Sequence, residues 1–333
     1  MLRISSLALA ALVAVASSAS AQTLEKFNFA LNWFPVGDHA AYWVALEKGY
    51  YKAKGLDVTL ENSKGSGDVI AKLDTGRADA GVADSAVVIA ASTRGSTVKS
   101  VGMIWDNTAL NFFSLKSSPI AKPKDLEGKN LGAPPGDSQR QMFPGFAKLT
   151  GIDASKVTWV NIEPAAKIAA LAEKRLDGVG DATTGLPLYE KASGKGNIVM
   201  MQWSDFGFDL YSLSIAASAK TMKERPKALK DFLEASYMGW RDVMADPAAA
   251  MAIFKKRVPE IDVETLTPNM AMGLALMNTE RYAKNGIGWI EEKKMCNSVD
   301  LVNTYMGLTK KAECKDVYSM EFYTKVEMPK KTN

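Results

Sequence analysis

The sequence predicts an α/β fold in two lobes, each a mostly parallel sheet flanked by helices, with a ligand cleft between them. Three observations carry this. Short apolar runs of strand character alternate with helix-length segments, an order that implies parallel sheets. The alternation breaks around Asn111–Ser118 and restarts near Asn130. A weak internal repeat relates the two series: Leu73-Asp74-Thr75-Gly76-Arg77-Ala78-Asp79-Ala80-Gly81-Val82-Ala83-Asp84 parallels Leu171-Ala172-Glu173-Lys174-Arg175-Leu176-Asp177-Gly178-Val179-Gly180-Asp181. Each copy is the end of a helix, a tight turn, a short strand of small residues and an aspartate. Ligands of such sheets sit beyond the C-terminal strand ends. Two facing lobes would therefore bring Asp84 and Asp181 to the rim of one cleft.

The elements follow in order. Phe27–Leu31 alternates and reads as a strand. Pro35-Val36-Gly37 turns the chain. Asp38 is a good N-cap for a helix that stops at Gly49. Asp57–Leu60 is a strand, Glu61–Gly67 a loop, and Asp68 starts a helix ending near Gly76. Ala80–Ala83 is a short buried strand, followed by a helix from Ser85 to Gly95, and Val98–Trp105 is a fourth strand. The second series has strands Asn130–Ala133, Val157–Val160, Gly178–Gly180 and Ile198–Met201. Its helices run from Ser138 to Thr150 and from Glu163-Pro164, with Pro at the first position. After Tyr211–Ala217 the chain turns helical: Pro226–Ala245, Pro247–Arg257 capped by Asp246, Pro268–Lys284 and Glu291–Tyr305. The domain reading is a leader over 1–21, a first lobe from 22–112 plus 210–333, and a second lobe over 113–209.

Composition narrows the function. The 333 residues are 47% hydrophobic and 23% charged, with formal net charge +4. No dense basic block with interleaved aromatics is present, so nucleic acid is not an expected partner. Met1-Leu2-Arg3, the apolar run Leu7–Ala16 and Ala19-Ser20-Ala21 together read as a secretory signal peptide cleaved before Gln22. No cysteine stands at that point to carry a lipid, so a soluble exported protein is expected. In an oxidising compartment Cys296 and Cys314 are expected to pair. Two cysteines and the single histidine, His39, lie far apart in sequence, so no metal site and no cofactor are expected.

Catalytic signals are weak. No Gly-x-Ser-x-Gly elbow, phosphate loop or dinucleotide fingerprint is present. What remains is aromatic rings, small polar groups and acids at strand ends and helix starts, the inventory of a small-molecule cleft. Asn32, Trp33, Ser66, Asp84 and Trp105 fall on the C-terminal edge of the first sheet. Phe34 adds a second ring and His39 sits in the first turn of the first helix. Gly65 and Gly67 flank Ser66 and let backbone approach a ligand. Ser138, read as an N-cap, can still bind an anion or a carbonyl. Asp84 and Asp181 occupy matched places in the repeat, although either could simply cap a helix or close a turn. Trp105 and Tyr211 read equally as core or cleft. Arg140, with Arg94, keeps an anionic ligand open. Rings with carboxylates suit a flat heteroaromatic ligand bearing amino groups.

The stretch Leu31-Asn32-Trp33-Phe34-Pro35…His39-Ala40…Lys48-Gly49-Tyr50-Tyr51…Gly55-Leu56-Asp57-Val58, with Gly65-Ser66-Gly67 and Gly76–Asp84, resembles the periplasmic substrate-binding proteins of ABC importers. The similarity is to the branch that holds nitrate, sulfonate and taurine binders and thiamine-pyrimidine-precursor binders. Asp125–Lys129 and Gly132–Ser138 match the opening of that family's second lobe, and the resemblance covers roughly residues 25 to 305. It implies the type II periplasmic binding protein fold, with crossovers placed near Phe112–Leu115 and Phe208–Leu213. It implies a monomer that captures a small molecule, here an aminopyrimidine thiamine precursor or similar aromatic compound. The partner implied is an ABC permease in the inner membrane. A sulfonate, taurine, nitrate or aromatic carboxylate ligand is the alternative. The same branch holds a fungal-type pyrimidine synthase that consumes its own histidine, and His39 falls close to that position. The cysteine-rich iron motif of that enzyme is absent from this sequence.

Overall fold

The computed structural model describes residues 23–329. The expected leader, 1–21, lies outside them. The strands are β1 (Glu25–Leu31), β2 (Leu56–Asn62), β3 (Ala80–Asp84), β4 (Lys99–Met103), β5 (Leu110–Leu115), β6 (Asn130–Gly132), β7 (Thr158–Val160), β8 (Gly178–Ala182), β9 (Ile198–Gln202) and β10 (Leu213–Ala217). The helices are α1 (Ala40–Glu47), α2 (Tyr50–Ala53), α3 (Ser66–Asp74), α4 (Ser85–Ser92), α5 (Ser138–Thr150), α6 (Ala166–Ala172) and α7 (Leu186–Ser193). They continue as α8 (Ala219–Glu224), α9 (Pro226–Ala245), α10 (Pro247–Arg257), α11 (Val263–Met277), α12 (Glu280–Asn285), α13 (Glu292–Tyr305) and α14 (Cys314–Val317).

The strands form two five-stranded sheets, ordered β2-β1-β3-β10-β4 and β7-β6-β8-β5-β9. The two orders are the same pattern. In each, four strands share a direction and one runs against them: β10 in the first sheet, β5 in the second. The reversed strand is the one the chain builds on arriving from the other lobe, so it enters its sheet from the opposite end. The repeat extends to hydrogen bonds. Asp79 accepts from the backbone N–H of Asn28, and Asp177 accepts from that of Asn130. These bonds tie β1 to the turn before β3, and β6 to the turn before β8.

The crossover position needs correcting. The chain leaves the first sheet after Met103 and joins the second at Leu110, so it crosses over 104–109 rather than at Phe112–Leu115. Leu110–Leu115 is instead an interior strand of the second sheet, paired on both sides. It shows no polar–apolar alternation because both faces are covered: Asn111 and Ser114 are as buried as Phe112 and Phe113. The return crossing lies over 203–212, between β9 and β10.

Other local readings also shift. Asp38 does not cap α1; a short 3-10 turn, Gly37–His39, precedes that helix. Asp137, not Ser138, caps α5, accepting from the N–H groups of Gln139 and Arg140. The segment Pro268–Lys284 is two helices, with Pro268 inside α11 and a break at Asn278-Thr279.

The C-terminal helices return to cover the first lobe, because their apolar faces have strand aromatics to meet. Phe232 of α9 stacks on Phe27, Phe29 and Tyr51 at centroid distances of 4.6, 4.6 and 5.1 Å. Gly239 lets α9 close on α1; a Cβ there would lie 2.2 Å from the Ala41 carbonyl oxygen. Further on, α13 packs against α4 and α5, and α11 packs against α7, so both touch each lobe. Cys296 and Cys314 form a disulfide joining α13 to α14. No helix among the described residues is long and apolar enough to cross a membrane.

Candidate functional site

The ends of β1, β3 and β8, with the helix starts that follow them, converge on a cavity between the sheets. Its volume is about 70 Å³. A dry cavity that admits benzene measures roughly 150 Å³, so in this conformation the space between the lobes is smaller than one ring needs. Of the eleven candidate ligand-contacting residues, nine line it: Asn32, Trp33, Phe34, His39, Ser66, Asp84, Trp105, Ser138 and Asp181.

Arg140 and Tyr211 do not line it. The Arg140 guanidinium is bound by the Ala133 carbonyl and the Asn161 side chain and sits over the Trp159 ring, away from the cavity. Tyr211 is fully buried, and its hydroxyl accepts from the Glu291 N–H beneath the C-terminal helices.

The glycines around Ser66 let the two lobes approach each other closely. Gly65 has φ 109° and a Cβ there would lie 2.3 Å from the Gly136 carbonyl oxygen; one on Gly67 would lie 2.2 Å from Gln141 Nε2. The close approach the structure shows is lobe to lobe, and Gly65 also lines the cavity. Gly67 N–H donates to Gly136 O at 3.0 Å, and Ser66 Oγ lies 2.9 Å from Ser138 Oγ. Ser66 Oγ also accepts from the Asp84 N–H at 2.9 Å.

Four carboxylates line the cavity: Asp38, Asp84, Asp137 and Asp181. Asp84 caps α4, accepting from the Ala86 N–H at 2.9 Å, with Ser212 Oγ 3.4 Å from its other oxygen. Burial pushes it up to about 7. Asp38 accepts from Thr184 Oγ1, across the cleft, at 2.9 Å; burial pushes it up to about 8. Its second oxygen, Oδ1, is buried without a partner, as is Nε1 of Trp105. Behind the second-lobe wall, the fully buried Lys167 ammonium lies 3.2 Å from Asp137, 3.1 Å from Asp181 and 4.4 Å over the Trp33 ring. Burial alone would pull its pKa down, but the two carboxylates outweigh that and hold it charged. Tyr189 donates to Asp181 at 2.6 Å. His39 bonds to Asn32 Oδ1 at 3.0 Å, and burial pulls it down to about 3, so it is neutral.

Asp137, Lys167, Thr184 and Asn269 were not singled out in the sequence, and Asp38 was read there only as a helix cap. Asn269 accepts from the Gly37 N–H and donates to the Thr184 carbonyl, joining α11 to both lobes. A repeat-based reading could have found Asp137, since the strand-end acid before a helix is what singled out Asp84. Lys167 sits in a segment, Glu163–Lys174, whose polar residues suggest a solvated face.

The family described as NMT1/THI5 like matches residues 36–250. The riboflavin-binding protein RibY of Chloroflexus aurantiacus is 25% identical over 309 residues, covering 90% of this chain and 86% of that protein. The 4-amino-5-hydroxymethyl-2-methylpyrimidine phosphate synthase THI11 of Saccharomyces cerevisiae is 33% identical over 109 residues, 32% of each chain. Among solved structures, the alkanesulfonate-binding protein SsuA of Xanthomonas axonopodis pv. citri, bound to MOPS, superposes with a TM-score of 0.69 at 14% identity. That match covers 88% of this chain and 98% of SsuA.

Proposed function

The chain belongs to the NMT1/THI5-like family, and from that premise we propose that it is a periplasmic solute-binding protein serving an ABC permease in the inner membrane. Its ligand is an aminopyrimidine-type or similar single-ring heteroaromatic compound, held between the lobes and released on opening. The observation that carries this reading is the cavity itself. Both lobes build it, bonds such as Thr184–Asp38 and Ser66–Ser138 close it, and aromatic rings stand beside carboxylates on its walls. Rings stack on rings, and carboxylates accept from ring N–H and exocyclic amino groups. Binding energy from such contacts would draw the lobes together, which is hinge closure around a ligand.

Riboflavin is a second reading, because RibY aligns with 90% of this chain. A pyrimidine-synthase-like activity is a third, motivated by synthase-named relatives of which THI11 aligns over a third of its length. That activity would yield product under iron and oxygen, with His39 chemically altered. The absence of that enzyme's cysteine-rich iron motif from this sequence supports a binding role instead.

A thermal-shift panel on the protein from Gln22 onward tests the reading. It contains aminopyrimidine thiamine precursors, riboflavin, taurine, alkanesulfonates, nitrate and aromatic carboxylates. A ligand at 100 times its Kd adds about 2.7 kcal/mol. Stabilisation by the aminopyrimidines supports the proposal. A shift with sulfonate or nitrate alone, or with riboflavin alone, overturns the ligand class, and no shift with any compound overturns the binding role.

A further inference from the structure

The cavity's charges do not balance, and the imbalance is one-sided. The second-lobe acids, Asp137 and Asp181, share the Lys167 ammonium at 3.2 and 3.1 Å. The first-lobe acids, Asp38 and Asp84, have no cation. Around Asp38 stand the Thr184 hydroxyl, the Trp105 ring and Gly273 of α11, with Asp181 as the nearest charge and His39 neutral beside it. Around Asp84 stand Ser66, Ser212 and the first amides of α4. Among the described residues, no lysine or arginine lines the cavity. Asp38 is 7% exposed and Asp84 3%, so neither is compensated by bulk water. The unpartnered Asp38 Oδ1 is an acceptor still waiting for a donor.

Resting on the solute-binding reading, we propose that the ligand supplies the missing cation: an organic group whose positive charge is spread over N–H donors, of amidinium or aminopyridinium type, docked against Asp38 and Asp84. A delocalised planar cation meets both demands of the site. Its face stacks on the aromatic walls, and its edge donates to the two carboxylates. The same site repels anions, although the neighbouring fold of SsuA is described with a sulfonate-class ligand.

Proton release accompanies binding. Burial holds Asp38 near 8 and Asp84 near 7 in the empty site, so near neutral pH one or both carry a proton. A cation favours the ionised form and expels that proton. Affinity for a cation whose own charge is fixed therefore rises with pH until both acids are ionised.

Benzamidine, benzamide and benzoate present one ring with positive, neutral and negative heads. Calorimetric titration of all three into the protein at about pH 6 and about pH 8 tests the inference, in two buffers of different ionisation enthalpy. An unscreened opposite charge shifts an equilibrium by about 1–3 pK units, so benzamidine should bind at least about tenfold more tightly than benzamide. It should tighten about tenfold or more from the lower to the higher pH, with a buffer-dependent heat from the released proton. Asp84→Asn keeps an acceptor for the α4 cap and should cut the benzamidine-over-benzamide affinity ratio by about tenfold. Equal or tighter binding of benzamide or benzoate, or no change with pH, overturns the charge inference. If none of the three binds, the panel compounds decide, with 4-aminopyridine, a cation at both pH values, added to them: a cation as tightest binder upholds the inference. A neutral or anionic one overturns it while leaving the solute-binding reading intact. Silence from every compound overturns the solute-binding reading itself.

Discussion

Replacing Lys167 with Met should unmask the electrostatic strain stored behind the second-lobe wall. Met fills most of the lysine stem's space, so the change removes a charge with little change in packing. Lys167 is fully buried between Asp137 and Asp181, at 3.2 and 3.1 Å. Removing one partner of a buried ion pair typically costs about 3–5 kcal/mol, because the other charge is left without compensation. Residual bonds moderate this: Asp137 still accepts from the α5 amides, and Asp181 from Tyr189. The lower part of that range is therefore expected near pH 8. Burial already raises Asp137 and the Lys167 charge lowers it, so in the variant Asp137 rises further, and the stability it carries is present at low pH and lost as pH rises. The deficit should consequently shrink toward pH 5. Urea unfolding followed by tryptophan fluorescence at both pH values measures it. Lys64→Met is the control, since Lys64 and Glu163 are both more than 60% exposed and such pairs contribute about 0–1 kcal/mol. A Lys167→Met loss no larger than the control's, or equal at both pH values, would refute the reasoning.

Three further outcomes are expected. The ligand-free protein should lose stability as pH rises from about 6 to 8, because burial holds folded Asp38 near 8 and Asp84 near 7, against 3.8 for a free carboxyl. Each contributes up to about 1.4 kcal/mol per pH unit, and Asp38→Asn should flatten the thermal-melting profile over that range. His39 acts in the opposite direction: its folded value near 3 lies below its ordinary 6.5, so its contribution is present above 6.5 and lost as pH falls toward 3. His39→Asn or His39→Gln should make the acid limb of the same profile less steep. The Cys296–Cys314 link closes a loop with a sequence separation of 18 residues. Its reduction should cost about 3 kcal/mol in urea unfolding, with the loss absent from a protein already carrying serine at both positions.

Much of the fold was legible because both lobes use the same local grammar. A strand, a polar turn and a capped helix recur, and the repeat ending at Asp84 and Asp181 marks the same sheet position twice, in β3 and β8. Leu110–Leu115 escaped because an interior strand covered on both faces loses the period-2 signal that identifies a half-exposed one. Trp33, Ser66 and Asp84 could be placed at the site because strand ends are local features. Lys167 and Asn269 could not, since their roles depend on contacts made across the molecule. Tyr211 and Arg140 show the converse: the right residue types close to the cleft in sequence, turned toward other partners. Gly65 and Gly67 were recognised as permitting close approach, and the other lobe meets both of them.

The central claim is that ligand is held between the lobes against the Trp33 ring. The most direct test titrates a panel compound that stabilises the protein into the native chain and into Trp33→Ala, following tryptophan fluorescence. Removing the stacking face should weaken binding by about tenfold or more, the equivalent of about 1.4 kcal/mol, and abolish part of the fluorescence change. Equal affinity in a folded Trp33→Ala protein would contradict the account, because the compound would then be bound away from this cavity.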